Sequence, residues 1–282
     1  MLVFMALCCR GANAAVSAIA PMTESQKQGA VFLDALSIPA PGEVFAALNK
    51  SSRPNWATLV MPAAAPVTTD RTQLALAVGV MAADGYIAVE AQDGQQVKNI
   101  GREMMSAAQA LGVSENLMGR GNSLIEFAAN DAWDSLADEL EATENEVKAT
   151  MVKQKDHALV TLTSAAAWLR GVDVATEVIL ASKTLEGSSV ISQPELARHL
   201  AAQLDTLPER MKRDALVSEV KMTLDSVALQ LESAPSSSES KRQSIQKIHD
   251  STARLVKMIL ASSGAPRSLA PAASLSPNVV KP

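Results

Sequence analysis

Residues 70–92 read DRTQLALAVGVMAADGYIAVEAQ, and this stretch decides the fold. From Leu74 to Val89 nearly every residue is apolar or small, with Ala, Leu and Met dominant over Val and Ile. Such a run is too long for an ordinary buried strand and is rich in strong helix formers. Asp70 and Thr72 precede it, and either can cap a helix here. Apolar residues occur at every angle around the axis, so the predicted helix is buried on most sides.

Two features inside the run oppose stability. Gly79 and Gly85 are each roughly 1 kcal/mol worse than alanine within a helix. Ala75, Gly79 and Ala83 recur at a spacing of four and form a ridge where another helix can approach closely. Asp84 is less ordinary, because its helical neighbours Val80, Met81, Ile87 and Ala88 are all apolar. A carboxylate in such a place needs a partner, since a buried unpaired charge is costly. Arg102, Arg120 and Arg170 are the candidates. A structural reading makes Asp84 half of a buried ion pair, or places it at a water-exposed helix end. A functional reading puts it in a ligand pocket with Tyr86. A membrane span is disfavoured by the central charge, by the two glycines, and by an apolar run short of the roughly 20 residues a span needs.

The chain has 282 residues, enough for one or two domains with a sizeable core. Only 3% of the residues are aromatic, so the core must be built from aliphatic side chains and methionine, which suits close-packed helices. A net charge of −5 gives no electrostatic footprint for nucleic acid. The two cysteines, Cys8 and Cys9, are adjacent and have neither disulfide nor metal-ligand spacing.

Residues 1–20 resemble a signal peptide shortened at its start. An apolar stretch is followed by Ala12-Asn13-Ala14, which suits cleavage by a signal peptidase, although no positive charge precedes Arg10. The expected location is therefore periplasmic or secreted, with no transmembrane span after the signal. Residues 21–69 are expected to form short helices broken by prolines. Thr23 to Gln26 is a capping box, a second helix is expected over 42–50, and a short piece over 56–61. Residues 70–232 form the expected helical core domain. A helix from Asp93 stops at Gly112, another starts at Ser114, and a long one runs from Asn130 or Asp131 to about Lys155. In the last of these, Trp133, Leu136, Leu140, Thr143, Val147 and Met151 make a stripe with glutamates on the other faces.

Residues 156–170 are the natural packing partner of the central helix, and Gly171 is expected to end them. Arg170 would then sit in a last turn, where a cation suits the helix dipole, or reach Asp84 or a ligand instead. A separate helix is expected over 172–184, a capping box at Ser192 to Glu195, and one long helix from Pro208 to Glu232. Residues 233–262 read as a serine-rich hinge and an amphipathic helix. The latter carries Ile245, Ile248, Thr252, Leu255 and Ile259 on one side, and Lys241, Arg242, Lys247, Arg254 and Lys257 on the others. The last two helices are expected to fold back as a hairpin or to meet a partner. Residues 263–282 have the composition of a disordered tail.

No Walker loop, nucleophile elbow or HExxH motif is present, and the glycines at 119 and 121 lack both a preceding strand and the third glycine. Glu195 and His199 are spaced by four and are not repeated, so they do not make a di-iron signature. His157, His199 and His249 each read as surface or helix-end residues. No catalytic residue, metal ligand or cofactor is assigned.

Three segments, Ala83 to Ala91, Lys98 to Arg102 and Ala167 to Gly171, resemble a group of exported helical bacterial proteins without a known function. The resemblance covers roughly residues 70–210. It implies that the central helix and the TrpLeuArgGly helix form one unit, and it supplies no catalytic residue. The expectation is an all-α bundle or irregular helical array around a buried central helix, with a C-terminal helical hairpin. The expected role is a non-enzymatic interaction or structural module, with a protein partner or self-association through helix seams. The alternative is a small-molecule site between the central helix and the 156–170 helix, formed by Asp84, Tyr86, Trp168 and Arg170.

Overall fold

The computed structural model describes residue 38 and residues 40–113, 117–233 and 237–261. The expected signal, the first capping box, the serine hinge at 234–236 and the tail lie outside the described residues. The described chain is an all-α array of ten α-helices with no strand.

Helix α1 (Pro41–Ser51) has proline at its first position and is followed by a single 3-10 turn, Trp56–Thr58. Helix α2 (Arg71–Glu90) is the central element, and every residue from Gln73 to Val89 is buried. Asp70, rather than Thr72, is its cap, and accepts a hydrogen bond from the Thr72 amide at 2.8 Å. By length and composition this 20-residue helix could cross a bilayer, so length does not exclude that reading as the apolar run suggested. Here its most apolar window is wholly enclosed by neighbouring helices.

Helix α3 (Gly94–Leu111) is capped by Asp93 and ends at Gly112, whose φ of 77° is the left-handed conformation that a glycine takes without strain. Helices α4 (Leu117–Ala129) and α5 (Trp133–Lys153) continue around one side of α2. The expected stripe on α5 is buried from Leu136 to Met151, with Trp133 half-buried.

Helix α6 (His157–Ala181) departs from expectation, because it runs straight through Gly171. A glycine stops a helix only where the chain must turn. Here Val172, Val174, Ala175, Val178 and Ile179 continue the buried surface, and their burial outweighs the roughly 1 kcal/mol that glycine costs. Arg170 therefore lies in the middle of a helix and has no dipole role.

Helix α7 (Pro194–Asp205) starts at its proline, with Gln193 as cap residue and no side-chain cap, so the box expected from Ser192 does not form. The helix expected from Pro208 is divided. A single turn, α8 (Glu209–Lys212), precedes α9 (Ala215–Glu232), which Asp214 caps through the Leu216 and Val217 amides. Helix α10 (Ser238–Leu260) turns back on α9 as expected and also packs along α6. Ile245, Ile248, Thr252, Leu255 and Ile259 along its stripe are all buried.

The α2–α6 crossing brings the two backbones into direct approach. A Cβ placed on Gly79 would lie 2.2 Å from the Thr163 carbonyl oxygen and 2.9 Å from the Ala167 nitrogen. The small-residue ridge thus lets two backbones touch, and Thr163 Oγ1 donates to the Ala75 carbonyl at 3.0 Å.

Candidate functional site

Asp84 finds its partner in Arg170. The Arg170 Nε donates to Asp84 Oδ1 at 2.8 Å, and its Nη1 donates to Asp173 Oδ2 at 2.6 Å. All three residues are almost fully buried. Arg170 and Asp173 lie three apart on α6, the spacing that brings side chains to one helical face. Arg102 does not enter this network, and Arg120 pairs instead with Glu139 and Glu146.

The network continues outward. The other Asp173 oxygen, Oδ1, accepts from Thr252 Oγ1 at 3.2 Å and lies 3.3 Å from Nδ1 of His249. Both partners come from α10, so the charged chain Asp84–Arg170–Asp173–His249 joins the central helix to α10. Burial pushes the Asp84 carboxyl up, and Arg170 only partly offsets this. The same burial opposes charge on Arg170, but its two carboxylates more than restore it and hold the guanidinium firmly protonated. The hydrogen bond to Asp173 raises His249 above the ordinary imidazole range, against the opposing effect of its partial burial.

Tyr86 follows Asp84 by two residues, about 200° around the helix, and occupies different surroundings. A Cβ on Gly42, at the start of α1, would stand 2.9 Å from the Tyr86 ring. Gly85 faces Leu140 of α5, whose Cδ2 would be 3.3 Å from a Cβ there. The phenol therefore lies between α1 and α5. It is 6% exposed, and among the described residues its hydroxyl has no hydrogen-bond partner. Burial pushes this hydroxyl far above its usual range, and the carboxylates of Glu144, Glu141, Glu43 and Asp138 push it further.

Trp168 is 4% exposed in the apolar core. Of the four residues expected to converge, the structure joins Asp84 and Arg170 and sets Tyr86 in a separate place. Two surface depressions, of about 520 and 280 Å³, lie elsewhere. One runs along α10 from His249 to Ala261, and the other lies between residues 188–192 and the α9–α10 pair. None of the four residues lines either depression.

Asp173, His249 and Thr252 were missed from sequence. The Arg170/Asp173 spacing is a visible signal, but ending the helix at Gly171 hides it. His249 is not the plain surface residue expected, and nothing local on α10 announces its partner. Comparison with family models, with curated proteins and with solved structures returns no match to this chain.

Proposed function

We propose that this protein is an exported, non-enzymatic helical module that acts through protein–protein contact or as a structural element. The observation that carries this reading is the closed bonding of Arg170. Its guanidinium is shared between Asp84 and Asp173, and the α2–α6 crossing beside it is backbone-tight. The most chemically suggestive residues in the sequence are therefore occupied with one another, which favours this reading over a ligand pocket between those helices. Export rests on residues 1–20, and the bacterial setting on the resemblance of the three segments quoted above.

Native mass spectrometry of the protein purified from an envelope fraction tests the proposal. A homo-oligomer or a stoichiometric protein complex is expected, with a mass consistent with cleavage after Ala14. A monomer carrying a bound small molecule other than a polyamine would overturn it in favour of the pocket. An uncleaved chain in the cytoplasmic fraction would overturn the export part.

A further inference from the structure

The surroundings of Tyr86 are built for positive charge. Helix α1 brings Glu43 one residue after the glycine that contacts the Tyr86 ring. Helix α5 brings Asp138, Glu141 and Glu144, spaced by three, on the turns around Leu140, which meets the neighbouring Gly85. Among the described residues only Glu144 of these four has an ion-pair partner, Lys148 at 2.7 Å. Glu43 gains something from the dipole at the start of α1, but Glu141 has no such compensation. Burial raises the Glu141 carboxyl, and Glu43, Glu144 and Asp138 raise it further. Like charges are thus gathered at a cost to the fold.

The Tyr86 hydroxyl supplies the second observation. It is a buried polar group with no partner among the described residues, and such groups are rare because each forfeits hydrogen-bonding free energy. The same four carboxylates are near enough to act on its charge. A phenol can accept an N–H bond through its oxygen while donating its own proton to a carboxylate. Among the described residues no three acidic or imidazole side chains converge closely enough to hold a metal ion. Dispersed carboxylates over a neutral acceptor suit a cation that offers several N–H donors in different directions.

We propose that the Tyr86 end of α2, flanked by Glu43 of α1 and by Glu141 and Glu144 of α5, binds an ammonium or guanidinium group. That group is carried either on a free polyamine or on a basic side chain of a partner protein. The site is separate from the Asp84–Arg170 network and goes beyond the interaction role proposed above.

Tyr86 is the only tyrosine in the chain, so its ring is a site-specific reporter. The full-length protein with ring-labelled tyrosine is titrated with spermidine, and separately with a lysine-containing peptide of equal charge, at constant ionic strength. A saturable shift of the single tyrosine resonance is expected with one probe or both. Saturation by spermidine assigns the site to a free polyamine, and saturation by the peptide alone assigns it to a partner's side chain. The Glu43→Gln/Glu141→Gln double variant is expected to weaken binding by about tenfold or more. A charge-matched Glu126→Gln/Glu239→Gln control should bind as the unaltered protein does. An unmoved tyrosine resonance with both probes, or equal weakening in the two double variants, would overturn the proposal.

Discussion

Arg170 is surrounded by acid on two sides, and its value to the fold depends on keeping both partners. A buried ion pair gains little over an apolar substitute, but removing one member leaves the rest uncompensated. Asp84→Ala is therefore expected to lower the unfolding free energy by about 3–5 kcal/mol, measured by urea denaturation. A variant of unchanged stability would instead mark Asp84 as a residue held for binding. His249 sets a pH dependence at the other end of the network. Its pKa is raised in the folded state, so the native protein holds this proton more tightly than the unfolded chain does. Its contribution is complete below the ordinary imidazole value of about 6.5 and is lost as pH rises through the folded value. Stability measured at stepped pH should fall as pH rises from about 6.5 to the folded value, and His249→Gln should flatten that slope. The raised Glu141 carboxyl acts with the same sign but in the acidic range, above the ordinary value of 4.5.

The helices of this molecule contain glycines that look alike in sequence and behave differently in space. Gly79 is required, because a methyl group there would collide with the backbone of α6. Gly171 lies in the interior of α6, and among the described residues a Cβ there would meet nothing within 4 Å. Gly79→Ala is expected to cost about 1–3 kcal/mol through overpacking. Gly171→Ala is expected to stabilise by roughly 1 kcal/mol through helix propensity alone. Thermal unfolding of the two variants side by side separates these signs.

The contrast explains what could be read in advance. The α2 helix was legible because its burial is nearly uniform, so no periodicity had to be resolved. Asp84 was legible as a residue in need of a partner, and Arg170 was among those named. The join of residues 157–170 to 172–181 was not legible, since a local stop signal competed with burial that only tertiary neighbours provide. The break before Ala215 was missed for a related reason. Asp214 reads as an ordinary polar residue until its carboxylate is seen on two amides. The separation of Tyr86 from Asp84 was available from helical angles alone. The acidic surroundings of Tyr86 were not, because Glu43 and Glu141 come from elements 98 positions apart in sequence.

At the scale of the molecule, α2 and α6 form a buried pair that the other helices cover. Helix α10 closes the last side, and its attachment is polar as well as apolar. Arg242 donates to the carbonyls of Leu180, Ser182 and Lys183, satisfying the C-terminal end of α6. At its far end, the carbonyls of Ile259 and Ala261 accept from the amide of Gln73, near the start of α2. A chain ending at residue 236 would expose the faces that Ile245, Ile248, Leu255 and Ile259 cover. That truncated protein is expected to lose its cooperative thermal transition and to bind a hydrophobic dye, while retaining substantial helical circular dichroism. Arg242→Ala should be milder, speeding amide exchange in α10 ahead of global unfolding.

The bonds to Asp173 also have an order in time. Arg170 is available to it within the same helix, but Thr252 follows 79 residues later in the chain. At ordinary rates of synthesis, roughly 5–20 residues per second, that distance corresponds to about 4–16 seconds. During this interval the nascent protein holds two carboxylates and one guanidinium with the side facing α10 still open to water. The centre of the molecule therefore remains hydrated until α10 has been made, and the buried charges pass from water to a dry interior in one late step.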